Sequence, residues 1–90
     1  MDFELFLFDE FIENFERLTV EEQLATMHFE EAITHSVDNS LYQAELGLLD
    51  DFAKNNLSKV IDAAFPRWEK MGVPIPPRIV RWKRDTSPQQ

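Results

Sequence analysis

Residues 41–68 read LYQAELGLLDDFAKNNLSKVIDAAFPRW, and how that stretch coils decides the fold. Leu41, Ala44, Leu48 and Phe52 recur every three or four residues, the spacing of a core-facing helix stripe. The phase fails after Phe52, where the next positions in step are Asn55, Asn56 and Lys59. A second stripe begins at Leu57 and continues through Val60, Ile61, Ala64 and Trp68. Asn accepts the left-handed conformation that ends a helix and also caps the start of the next. The spacing therefore predicts an αα-hairpin turning at Asn55-Asn56. Its third helix of the chain spans residues 41–54, with Gly47 inside it, and its fourth spans residues 57–71. Pro66 is expected to kink or restart that fourth helix, and Gly72 to stop it.

Two further helices precede the hairpin. In residues 2–18, Leu7, Phe8, Phe11, Phe15 and Leu18 fall within about a third of a helical wheel. Asp2, Asp9, Glu13 and Glu16 take the opposite arc with Glu10 beside them, and Phe6 lands among these acids. Thr19-Val20-Glu21-Glu22 is a capping box, so a second helix starts at Val20 and is expected to end near His35. Its apolar residues form two groups, Val20-Leu24-Met27 and Ala25-Phe29-Ile33, on nearly opposite faces. Such a helix is sandwiched between neighbours or offers one side to a partner. Ser36-Val37-Asp38-Asn39-Ser40 is rich in turn formers and is the expected second connection.

From Val73 the run Val-Pro-Ile-Pro-Pro favours an extended path, and Arg78-Ile79-Val80-Arg81-Trp82-Lys83-Arg84 is basic and amphipathic. Residues 85–90 are expected to fray. The expectation is an all-α protein, a small four-helix bundle (1–72) with an extended, proline-containing basic C-terminal arm (73–90).

The chain has 90 residues, enough for one domain with a modest core. It has no cysteine, which excludes disulfides, thiolate metal sites and thiol nucleophiles. Its acidic start is unlike a secretory signal, and no stretch approaches the length of a membrane span, so a cytoplasmic protein is expected. The net charge of −8 is unevenly divided. Residues 1–45 hold twelve carboxylates and one basic residue, Arg17, while residues 46–90 hold five carboxylates and eight basic residues. This split can steer a partner or let the two halves attract each other.

Catalysis finds no support. There is no phosphate-binding loop among two glycines, and no serine–histidine pair with a third orienting group. His28, Glu31 and His35 share one face of the second helix and form a weak candidate metal site, although no zinc or di-iron motif is present. No cofactor is expected. The acid-rich face of the first two helices fits a basic surface on another protein, or an imitation of nucleic-acid phosphates. Small immunity proteins, antitoxins and phage inhibitors use this physics. The plain alternative is a solvated surface that keeps a small domain in solution.

The expected function is accordingly a non-catalytic, acidic protein–protein interaction module, an adaptor or stoichiometric inhibitor. Partner contacts are expected from Phe6, Asp9, Glu13 and Glu16, and from the arm through Arg78, Arg81, Trp82 and Lys83. The arm is expected to dock on its own subunit, a second copy or a partner. A metal-binding helical protein and a self-associating structural subunit are the alternatives, so a homo-oligomer is among the expected states. A membrane partner is not expected, and the net negative charge argues against nucleic acid.

Overall fold

The computed structural model describes the backbone of residues 3–86 and the side chains of residues 8–86. The protein is all-α, with four helices and no strand among the described residues: α1 (Phe3–Glu16), α2 (Val20–Glu45), α3 (Asp51–Met71) and α4 (Pro77–Thr86). The longest apolar stripe belongs to α3, where Ile61, Ala64, Trp68 and Met71 are all buried. Trp68 is fully enclosed. α3 packs against each of the other helices, and α4 also packs on α2. Ile12 of α1, Val37 and Leu41 of α2, and Ile79 of α4 close around α3, with Val73 from the connecting segment.

The class is the expected one, but the helix boundaries in its middle are not. Residues 36–40 do not form a connection; α2 runs through them to Glu45. The reason is a stripe of Glu30, Thr34, Val37 and Leu41, at helical spacing and all buried. Two of its four members are polar, so it does not read as a core face. The hairpin turn is also displaced, from Asn55-Asn56 to residues 46–50. Both asparagines lie within α3 and face solvent.

Gly47 is therefore not a helix interior residue. Its φ of +75° places it in the left-handed region. Its amide donates to the Ala44 carbonyl (3.0 Å) while that of Leu48 donates to the Gln43 carbonyl (3.0 Å). Those paired bonds are a Schellman ending, which glycine makes without Cβ strain. Asp50 then caps α3 by accepting from the Ala53 amide at 2.8 Å. Gly72 ends α3 the same way, as expected, with the Gly72 amide on Glu69 and the Val73 amide on Trp68. Val73 and Trp68, the two positions whose side chains commonly meet in this motif, both belong to the core.

The capping box at α2 is formed in full. The Glu22 amide donates to Thr19 Oγ1 (3.2 Å), and the Thr19 amide donates to Glu22 Oε1 (3.0 Å). That second bond holds the Glu22 carboxyl below its usual range. Pro66 neither ends nor restarts α3, which continues through it to Met71. The proline is exposed, so its ring sits on the solvent side of the helix.

In the C-terminal arm, the extended stretch is confined to residues 73–76. Pro77 takes the first position of α4, where its missing N–H is no loss and its fixed φ suits a helix. The Ile79 and Val80 amides both donate to the Pro76 carbonyl, closing the first turn. Residues 85 and 86, expected to fray, belong to α4. The fraying expected of residues 87–90 lies outside the described residues.

A candidate interaction surface

The acidic side chains of α1 arise from its wheel. Phe8, Phe11, Ile12 and Phe15 turn toward α3, and this leaves Asp9, Glu13 and Glu16 exposed on the far side. Glu13 accepts an ion-paired bond from Arg17 at 2.6 Å, one turn away. The Phe6 side chain, expected to anchor a contact in this face, lies outside the described residues.

The basic residues of α4 occupy a different place. α4 buries Ile79 and turns Arg78 toward α2 and Lys83 toward α3. Arg78 Nη1 donates to Asp38 at 2.9 Å and its Nε to Glu45 at 3.3 Å. The guanidinium also lies over the Tyr42 ring, 5.3 Å from its centroid. The bond to Asp38 raises the Arg78 pKa above its ordinary value, against a smaller opposing effect of desolvation. Arg81 approaches Glu45 at 4.0 Å. Trp82 Nε1 donates to Ser58 Oγ at 3.2 Å, and Lys83 Nζ to Asp62 at 2.7 Å. The arm thus docks on its own chain. The acidic and basic halves of the expected contact set do not form one surface: the acids face outward on α1, and Arg78, Trp82 and Lys83 are engaged with α2 and α3.

His28, Glu31 and His35 do share the outer side of α2, but they do not converge as ligands. His35 Nε2 lies 3.8 Å from Glu31 Oε1, a pair that is ionic only when the imidazole is protonated. His28 faces solvent. Among the described residues no group of three or more His, Asp or Glu side chains is placed to hold a metal ion. Glu31 and His35 instead line a shallow groove of about 370 Å³, shared with Asp38, Pro74, Ile75, Pro76 and Pro77.

The structure adds exposed apolar side chains, of which Leu48 and Phe52 were expected in the core. On α2, Met27 and Ile33 pack on the core, while Leu24 and Phe29 are exposed, Phe29 to 68%. Each of the two apolar groups of α2 therefore divides between core and solvent, and neither forms one wholly buried or wholly open face. At the α2–α3 turn Leu46, Leu48 and Phe52 are also exposed. For Phe29 the signal was present, since it belonged to the second apolar group of α2. For Leu48 and Phe52 it was misleading, because they continued the stripe of buried Leu41.

No helix among the described residues is long and apolar enough to cross a membrane. Comparison with protein families, characterised proteins and solved structures finds nothing that this chain matches.

Proposed function

We propose that the protein is a non-catalytic interaction module of the cytoplasm, an acidic adaptor or stoichiometric inhibitor that binds a basic surface of another protein through α1 and α2. The observation that supports this reading most is Phe29. It stands exposed on α2, in a half of the chain with twelve carboxylates and a single basic residue. An exposed aromatic in an acidic half of the chain can anchor an interface, because the ring supplies burial while the acids elsewhere on α1 and α2 supply steering. Asp9, Glu13 and Glu16 would act chiefly on the association rate, and that action would fade with salt. With the cations of α4 largely directed at their own chain, this reading rests on the acidic surface rather than on the arm.

The test uses the full chain and the partner it captures at stoichiometric yield. Neutralising Asp9, Glu13 and Glu16 together (D9N, E13Q, E16Q) should slow association and flatten its salt dependence. Phe29→Ser should weaken the complex by about tenfold or more. Unchanged binding and unchanged salt dependence in both variants would remove this reading.

A further inference from the structure

We propose that the protein pairs with a second copy of itself about a two-fold axis, the α2–α3 turn of each copy seated on the outer face of α4 of the other. This does not rest on the acidic partner surface of α1 and the first half of α2, and either can hold without the other.

The turn is the most apolar exposed part of the described chain. Leu46, Leu48 and Phe52 are 55%, 69% and 75% exposed, within seven residues of one another. The Schellman bonds at Gly47 and the Asp50 cap fix its backbone at both ends. An ordered turn loses little conformational freedom on docking, so the side chains it presents keep most of their burial energy. Three acidic residues flank them: Glu45, Asp50 and Asp51.

The outer face of α4 has the opposite charge and a smaller apolar element. With Ile79 buried and Trp82 and Lys83 half-buried, the side chains left outward are Pro77, Val80, Arg81 and Arg84, followed by Asp85 and Thr86 at the helix end. Arg84 is paired with its neighbour Asp85 at 3.1 Å, an exposed contact that leaves the guanidinium accessible. The two faces share an edge, since Arg81 of α4 reaches to 4.0 Å from Glu45 at the end of α2. That adjacency decides the symmetry. An acidic apolar patch beside a basic one is self-complementary under a two-fold rotation, which brings each onto its opposite and closes the assembly. Turn against turn would set Glu45, Asp50 and Asp51 of the two copies against each other, and charge disfavours it. So few residues make a small interface, so pairing should be weak, with a Kd roughly in the micromolar range.

Sedimentation velocity on the full chain over a range of concentrations tests this directly. The expected result is a concentration-dependent dimer. Leu48→Glu, Asp51→Lys and Arg84→Glu should each raise the dimer Kd by about tenfold or more. Combining Asp51→Lys with Arg84→Glu in one chain should recover pairing, because the two charge patterns are then exchanged. All of these positions are exposed, and circular dichroism of each variant verifies its helix content. A monomer at every concentration would overturn the proposal. So would a dimer that persists unchanged in Leu48→Glu and Arg84→Glu, since another face would then carry it.

Discussion

At the scale of single residues, the decisive group is Glu30, a carboxylate almost wholly buried on α2. Trp68 Nε1 donates to it at 3.0 Å, and Arg67 Nη2 spans both of its oxygens at 3.2 and 3.1 Å. Arg67 in turn lies over the Phe11 ring, 5.0 Å from its centroid, so one carboxylate ties α2 to α3 and indirectly to α1. A buried ion pair contributes little net stability compared with an apolar substitute, but removing one member leaves the other without compensation. Here the indole N–H would also lose its acceptor inside the core. Arg67 Nε already has no hydrogen-bond partner in the structure, which leaves the guanidinium little to fall back on. Glu30→Ala should therefore cost about 2–4 kcal/mol, less than a fully enclosed pair would lose because Arg67 is partly exposed. Glu30→Gln keeps an acceptor for Trp68 and should cost less. Urea denaturation of the two variants checks the order, and equal midpoints for them and the wild type would show that this carboxylate is not a structural tie.

At the scale of elements, the same residue explains what could and could not be read from the sequence. The α3 stripe of Leu57, Ile61, Ala64 and Trp68 was legible because each member is apolar and at helical spacing, although Val60, expected with them, is 46% exposed. The capping box was legible because its chemistry is local, Thr19 and Glu22 satisfying each other three residues apart. The later part of α2 was not, because Glu30 and Thr34 are polar residues in core positions, Glu30 through partners far away in sequence. Thr34 Oγ1 donates within its own helix, to the Glu31 carbonyl at 2.6 Å, which lets a hydroxyl be buried there. Proline misled in both directions. The rule that it breaks helices holds for a helix interior, yet Pro77 opens α4 and Pro66 rides within α3. Of the expected contact residues, the exposure of Asp9, Glu13 and Glu16 followed from the wheel. The engagement of Arg78, Trp82 and Lys83 did not, since it depends on where α4 packs. Pro66 leads to a prediction at this scale. A proline inside a helix loses one backbone bond and is up to about 3 kcal/mol worse than alanine there, partly offset by its stiffening of the unfolded chain. Pro66→Ala should then raise stability by about 1–2 kcal/mol, seen as a higher thermal midpoint. A lower midpoint would mean that the proline is needed for the path of α3.

At the scale of the whole molecule, the question is whether α4 is an appendage or part of the core. A 90-residue domain has a total stability of roughly 5–13 kcal/mol. Ile79 is completely enclosed, and burial of such a side chain is worth a substantial part of that margin. Replacing it with alanine should cost about 2–5 kcal/mol, the transfer energy plus the cavity left behind. The ion pairs beside it are another matter. The pairs Arg81–Glu45 and Lys83–Asp62 are at least partly open to solvent, where salt screens them and side-chain ordering offsets their attraction. Apolar burial, more than charge, should hold α4 in place. A chain ending at Gly72 loses Val73 and Ile79 together, so it should unfold without a sharp transition, not simply lack an arm. Urea denaturation at low and high salt separates the two accounts. The wild-type midpoint should change little with salt, while Ile79→Ala lowers it and the truncated chain melts gradually. Were the truncated chain to keep the wild-type midpoint and slope, the core would be complete by Gly72 and α4 would be an attachment held by its charges.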